Sequence, residues 1–387
     1  MGGADCVISQ NQVTRYYLVN HLLARKPEGQ SVEEVVGAIC GLHAQAPLTP
    51  YLSLWNRMRG FRAEMLDEAL YQEKSLVKMW FMRGTLHVIP VKDLPVYHSA
   101  LRGMWFGTNG RYLREVERPS YDERRKEVHP RILEALSNGP LRRKELRERV
   151  CSLSGESASL YKELFSPWGG VLKETCYLGL TVFAEPRDKE SCFARLDRWL
   201  PQSGLKEADV KTAMESLFSR YLHCYGPAST QDFAYWSGLP ASRIARVVEE
   251  NPQRFAAVEV QGDRRTLWML REDLGKVEKV NVEEKVSPRL LPRFDPYLLG
   301  HRVRTRLVDE RDLKKIYRPA GDVAACVLVD GRVAGRWTWR KTKKELKVAV
   351  EPFRRFDAST LAGLEEATVD LGGFMGFARA KMLLTPS

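Results

Sequence analysis

Seven residues near the C-terminal end could do recognisable chemistry together. Arg336, Trp337, Trp339, Arg340, Lys341, Lys343 and Lys344 interleave cations with aromatic rings in one short stretch. Cations in such a run hold phosphates, and flat indoles stack on unpaired bases. The same spacing also suits a solvated strand edge on which lysines discourage edge-to-edge association, and the sequence leaves both open. A second cluster, Arg142-Arg143-Lys144, opens a predicted helix. Cations there oppose the positive end of the helix dipole unless an anion sits close by, which points to a phosphate. In His301-Arg302-Val303-Arg304 the alternation puts Arg302 and Arg304 on one face, suited to a nucleic-acid groove.

Other chemistries lack their residues. The seven cysteines (Cys6, Cys40, Cys151, Cys176, Cys192, Cys224, Cys326) are scattered without a CxxC pair and read as reduced, mostly buried thiols. The seven histidines form no HExxH or HxxxH pair, and adjacent His223 and Cys224 chelate poorly, so no metal is expected. No Gly-rich phosphate loop or GxGxxG follows an apolar strand; an NTPase or nicotinamide dehydrogenase is disfavoured and no cofactor is expected. With 61 Lys and Arg against 49 Asp and Glu, the formal charge of +12 favours a polyanionic partner, whether DNA, RNA or anionic lipid. No run approaches the roughly 18 apolar residues of a spanning helix. The start, MGGADCVISQNQ, lacks the basic and apolar regions of a secretory signal, so a cytoplasmic protein with no membrane partner is expected.

The elements that must carry these clusters show in an internal repeat. HPRILEALSNGPLRRKELRERV (129–150) is an apolar helix, a Gly139-Pro140 break and a second helix from near Arg142. MESLFSRYLHCYGPASTQDFAYWSGL (214–239) has the same grammar, its Gly226 lying 87 residues after Gly139. Both copies place an acidic and an apolar residue at the same offsets, Glu145-Leu146 and Asp232-Phe233, and both run on into paired strands, at 180–183 with 192–194 and at 257–260 with 266–270. Helices, a tight turn and a hairpin make the winged helix-turn-helix layout, a common DNA reader that also serves as a packing module. Ser229-Thr230-Gln231-Asp232 is an ordinary cap, so the second copy is expected to be mainly structural. Residues 1–125 read as a divergent third unit, with helices over 10–26, 31–42 and 50–59 and strands over 77–82 and 85–89 reversed at Arg83-Gly84. After residue 286 come strands at 323–329, 333–339 and 346–350, with Asp330-Gly331 as a hairpin signal, and a helix over 359–371. The predicted fold is α+β, with segments 1–125, 126–200 and 201–285 as three tandem winged helices and 286–387 as a small β-barrel closed by a helix.

Four blocks then stand out: HAQAPLTPYLSLWNRM, LVKMWFMRGTLHVIP, LLPRFDPYLLGHRVRTR and YRPAGDVAACVLVDGRVAGRW. In this order they resemble the signature blocks of the winged-helix DNA glycosylases, which remove alkylated purines and unhook interstrand crosslinks; relatives accompany genotoxic antibiotic clusters as self-resistance enzymes. The resemblance implies three winged helices and a β-barrel around a basic, DNA-sized concavity. It also implies a monomer acting on duplex DNA that carries alkylated purines, in the cytoplasm and at the nucleoid. The family's catalytic motif, Gln, an aliphatic residue, then Gln or Asp, falls on His43-Ala44-Gln45. His43 departs from the first Gln, yet imidazole can hydrogen-bond a water and, when neutral, accept its proton. The bland alternative is that His43 and Gln45 cap the helix ending near Leu42. In the second block Gly84 serves a tight turn and His87 reads as a core histidine, and neither is assigned to catalysis.

Neutral side chains suffice for such a reaction. N7-alkylation makes the purine a cationic leaving group that departs without an acid, so the enzyme need only stabilise an oxocarbenium-like sugar and place a water. The implied activity is monofunctional hydrolysis of the N-glycosyl bond of N7-alkylated guanine, bulky adducts or crosslinks included. The alternative is a non-catalytic winged-helix regulator or adduct sensor, for which no heptad or evident dimer helix is present.

Overall fold

The computed structural model describes residues 6–106, 119–154, 161–162, 164–166, 170–201, 205 and 208–385; parts of the predicted segments 1–125, 126–200 and 201–285 and the tips of both termini fall outside them. The chain has a mixed α and β fold in two compact units. One comprises 1–66, 218–236 and 240–387, the other 67–217 and 237–239.

The first unit holds two sheets. The larger runs in the order Arg289–Leu291, Cys326–Val329, Arg332–Lys341, Glu345–Pro352 and Arg379–Leu384. Its first four strands pair antiparallel and the last pairs parallel with Glu345–Pro352. Asp330 (φ 45°) and Gly331 (φ 84°) make the predicted turn, both taking the positive φ that a two-residue hairpin loop of the right twist requires. Burial alternates along Glu345–Pro352, with Leu346, Val348 and Val350 in the core and Lys347 in solvent. The helix Ala358–Phe374 starts at Asp357, whose carboxylate accepts the Thr360 N–H, and packs on this sheet. Gly372 permits that approach, since a Cβ there would lie 2.5 Å from the Ala380 Cβ.

The predicted barrel is corrected to an open sheet. Among the described residues the edge strands Arg289–Leu291 and Arg379–Leu384 do not pair with each other. The helix Ala358–Phe374 is a crossover, and a crossover returns the chain parallel to the strand it left. The final strand therefore extends the sheet beside Glu345–Pro352, and the opposite edge is three residues long.

The smaller sheet joins Cys6–Ile8, parallel, to the antiparallel hairpin Phe255–Val260 and Leu267–Leu270. Ile8, Val13, Tyr16, Val258, Val260, Leu267, Met269 and Val277 form its core. The helices Val210–Tyr225, Thr230–Ser237 and Ala241–Glu250 precede that hairpin. Ser229 and Asp232 form a reciprocal cap: the serine hydroxyl accepts the Asp232 N–H at 3.1 Å, and the carboxylate accepts the serine N–H at 3.1 Å and its hydroxyl at 2.7 Å. The predicted helix over 10–26 is shorter, Gln10–Asn20, because Leu22 at φ 55° leaves the helical region.

In the second unit the hairpin Leu76–Trp80 and Leu86–Pro90 reverses through Arg83 (φ 53°) and Gly84 (φ 69°). The helices Pro119–Ala135, Arg143–Ser154 and Gly170–Tyr177 accompany a sheet ordered Leu141–Arg142, Glu190–Arg195, Thr181–Arg187. Trp80 packs on Phe183 and Phe193, at 4.7 and 6.2 Å between ring centroids.

Three of the buried histidines, His21, His87 and His301, are held neutral in these cores. Desolvation pushes His87 and His301 down to about 3 and His21 well below its ordinary value of 6.5; Arg57 beside His21 and Arg306 beside His301 add to the effect. Each is neutral when folded, while the unfolded chain takes up a proton below about pH 6.5. Stability from this source is complete above pH 6.5 and is lost as pH falls from there towards 3, by up to about 1.4 kcal/mol per pH unit for each histidine. Urea unfolding at pH 7, 5.5 and 4.5 should show a falling midpoint; an unchanged midpoint would mean that these imidazoles protonate in place.

Candidate active site

The helix Val32–Ala38 opens on a Ser31–Glu34 capping box and closes at Ile39, after which Cys40 (φ 56°) and Gly41 (φ 95°) turn the chain into the short strand Leu42–His43. The helix ends at Ala38, earlier than the predicted 42, and His43 lies in the strand that follows. His43 is buried at 4% exposure and Gln45 is exposed. The Gln45 N–H points to His43 Nδ1 at 3.4 Å, a long hydrogen bond. The imidazole also lies on the Phe294 ring, with centroids 5.0 Å apart and planes 20° apart.

A buried ion pair holds the loop that supplies Phe294. Arg57, at the end of the helix Thr49–Arg57, grips Asp295 with two parallel bonds, Nη2 to Oδ1 at 2.7 Å and Nη1 to Oδ2 at 2.9 Å, and both side chains are fully buried. Asp295 also accepts the Ser53 hydroxyl and the Tyr297 N–H, each at 3.0 Å. Arg57 donates further to the carbonyls of His21 and Ser53, at 2.9 and 3.0 Å. Thr49 donates to the Arg293 carbonyl at 2.7 Å and Asn56 to the Leu290 carbonyl at 3.0 Å. One helix face thus binds the loop through Thr49, Ser53 and Arg57, and the strand before it through Asn56. The Arg293 guanidinium lies over the Phe294 ring at 5.3 Å and pairs with Asp322.

The predicted cation clusters divide into internal and presented members. Arg142 pairs with Glu145 at 2.7 Å and Asp188 at 3.3 Å, so a carboxylate of the same turn supplies the anion that the helix start calls for. Arg143 lies over Phe193 at 5.2 Å and donates to the Ser166 carbonyl, which leaves Lys144 as the open member. Arg302 is exposed, its N–H held by Asp232 at 2.8 Å. Arg304 turns inward, 3.7 Å from the Tyr317 ring and bonded to the Tyr235 hydroxyl, so the two arginines do not share an open face. Trp337 is corrected from a base-stacking candidate to a core residue: it is 3% exposed and its indole N–H binds the Leu291 carbonyl at 2.8 Å. Trp339, opposite Val348, is half-buried, and Arg336 pairs with Glu351 at 2.7 Å. Arg340, Lys341, Lys343 and Lys344 are exposed around the hairpin end. The strand register extends that group, placing Arg340 opposite Lys347 and Lys347 beside Lys381, all three exposed.

His87 is a core histidine, buried and bonded through Nδ1 to the Thr85 carbonyl at 2.9 Å. The supports of the site, Arg57, Ser53 and Asp295, carried one sequence signal. Thr49, Ser53, Asn56 and Arg57 recur three or four apart as a polar stripe on one helix face, where an arginine calls for a partner.

A family model described as DNA glycosylase AlkZ-like matches residues 36–374. An interstrand DNA cross-link repair glycosylase of Streptomyces sahachiroi is 26% identical over 355 residues, covering 90% of this chain and 92% of that protein. The solved structure of Streptomyces sahachiroi DNA glycosylase AlkZ superposes with a TM-score of 0.81 at 24% identity, covering 97% of this chain and 99% of that one.

Breaking the clamp should unfold the site before it touches any chemistry. Asp295→Ala strands the Arg57 cation in the core and should cost about 3–5 kcal/mol in denaturant unfolding, whereas Lys144→Ala should stay within about 0.5 kcal/mol. A loss at Asp295 no larger than that at Lys144 would contradict the role given to the pair.

Proposed function

The chain belongs to the AlkZ-like DNA glycosylase family, enzymes that hydrolyse N-glycosyl bonds in DNA, and from that premise we propose that it releases N7-alkylated guanine, bulky adducts and interstrand crosslinks included. The observation that carries this reading is the pairing of a buried, ring-stacked His43 with an exposed Gln45 two residues on, where the sequence resemblance puts the family's catalytic motif. The name of the Streptomyces sahachiroi relative supports the crosslink part of the substrate class.

In the proposed reaction the alkylated purine leaves as a neutral base, because its glycosidic bond electrons discharge the N7 cation. The Gln45 amide orients a water towards the anomeric carbon, and His43 holds that water from a fixed ring. Hydrogen bonds that strengthen as the sugar gains positive charge lower the barrier, with no carboxylate pair needed. The catalytic reading is favoured over the regulator reading because a family of enzymes matches across the motif and the basic segments together.

Duplex DNA would be held largely through its phosphates. Lys144, Arg302, Arg340, Lys341, Lys343 and Lys344 are exposed, and the cross-strand row Arg340, Lys347, Lys381 sets three cations side by side against one carboxylate, Glu345, 3.7 Å from Lys347. We read the two helix-and-hairpin repeats and the N-terminal segment as winged helices. A monomer working in the cytoplasm belongs to the same proposal.

Gln45→Ala should slow single-turnover release from an N7-methylguanine duplex by about 10²–10³-fold, the usual cost of a lost transition-state hydrogen bond. His43→Gln, which restores the family's residue, should keep most of the rate, and neither change should alter duplex affinity. An undiminished rate in the His43→Ala, Gln45→Ala double variant would remove the motif from catalysis. Neutralising Arg340, Lys341, Lys343 and Lys344 should flatten the dependence of log affinity on log salt by about 1 for each phosphate that is no longer held; an unaltered slope would take the hairpin out of the interface.

A further inference from the structure

We propose that Phe294 is a positioning residue for this reaction: its ring is the platform that sets the plane of the His43 imidazole, and the strained backbone beneath it is kept for that purpose. The inference rests on the catalytic reading of His43.

Phe294 has φ 58°, in the left-handed region that bulky side chains avoid. A turn that needed only this backbone would be served best by glycine. Strain of this kind persists when the surroundings over-determine it, and here they do so on both sides. The residue before it is fixed by Thr49, whose hydroxyl holds the Arg293 carbonyl at 2.7 Å. The residue after it is fixed by Arg57, Ser53 and the Tyr297 N–H, all on the Asp295 carboxylate. Phe294 has no freedom to relax between these anchors, and its ring is delivered flat against His43, with planes 20° apart.

The stack does what a hydrogen bond does not. A bond to Nδ1 constrains one atom, and the ring can still pivot about it; a flat contact of 5.0 Å between centroids fixes the plane. The Arg293 guanidinium, over the same ring at 5.3 Å and paired with Asp322, restrains the platform in turn. The family motif carries glutamine where this chain has His43, and a flat ring gains more from a flat support than an amide does. The chemical order is therefore Thr49, Arg57 and Asp295 on the loop, the loop on Phe294, Phe294 on His43, and His43 on the water.

The test uses full-length protein and an N7-methylguanine duplex, with single-turnover release and duplex dissociation constant measured separately. Phe294→Gly suits the backbone and removes the ring. It should slow release by up to about 100-fold, the scale of a small misplacement of a reacting group, at unchanged duplex affinity. Phe294→Tyr keeps the flat face and should restore most of the rate. In a His43→Ala background, Phe294→Gly should add no further loss, because both changes remove the same element. A slowed His43→Ala beside an undiminished Phe294→Gly would overturn the platform and leave His43 standing. Additive losses would likewise overturn it, since Phe294 would then act by another route. An undiminished His43→Ala would instead sink the catalytic reading itself. If circular dichroism shows Phe294→Gly unfolded, Phe294→Leu keeps the bulk without the flat face and must show the same slow release for the proposal to hold.

Discussion

A charge pair with no access to water organises the candidate site. Arg57 and Asp295 are both fully buried, and an ion pair in that position is stable only when its geometry is good and its remaining donors and acceptors are satisfied. Those conditions are met by groups far apart in the chain: a serine one helical turn away, the carbonyl of His21, and the N–H of Tyr297. The pair therefore welds residues 21, 53–57 and 293–297 into one body. Phe294 and, through it, His43 inherit their positions from that weld, although neither carries charge in it.

The same rule separates the cations that hold the protein together from those that face outwards. Arg142, Arg143, Arg304 and Arg336 each have an internal carboxylate, carbonyl or ring. Guanidinium suits this use, because its plane stacks and its fork bonds bidentately. Most of the open positions on the long hairpin are lysines, compact charges on flexible stems that hold phosphates as points. Sequence clustering alone treats the two kinds as one patch, and burial divides them.

Much of the fold was legible in the sequence for local reasons. Asp330-Gly331 and Gly84 mark their turns by backbone preference, and Ser229 with Asp232 fixes a helix start by reciprocal bonding, so each could be placed from a few neighbouring residues. The strand Cys6–Ile8 could not, because its partner is Phe255–Val260, and three residues carry no period of their own. The last strand, Arg379–Leu384, was hidden because it is largely exposed and shows no clean apolar alternation, and with it the open form of the sheet. At the site, His43 and Gln45 were visible through the family motif. Trp337 was misjudged because strand alternation, not composition, decides which face an indole occupies. Arg57, Asp295 and Phe294 stayed obscure because their meaning lies in a contact across more than 200 residues of chain.

The division of the chain has a consequence for how the protein is made. The second unit is nearly continuous, 67–217, whereas the first is assembled from 1–66, 218–236 and 240–387. A ribosome releases residues in order, at roughly 5–20 per second, and domains condense as their pieces emerge. The inserted unit has almost all of its chain in hand while the first still lacks Asp295 and the whole of its larger sheet. His43 and Arg57 must wait, half-dressed, for more than 200 residues of translation before their partners arrive. During synthesis the helix Thr49–Arg57 carries an apolar face and an unpaired guanidinium, and the segment around His43 is among the last parts of the molecule to acquire its contacts.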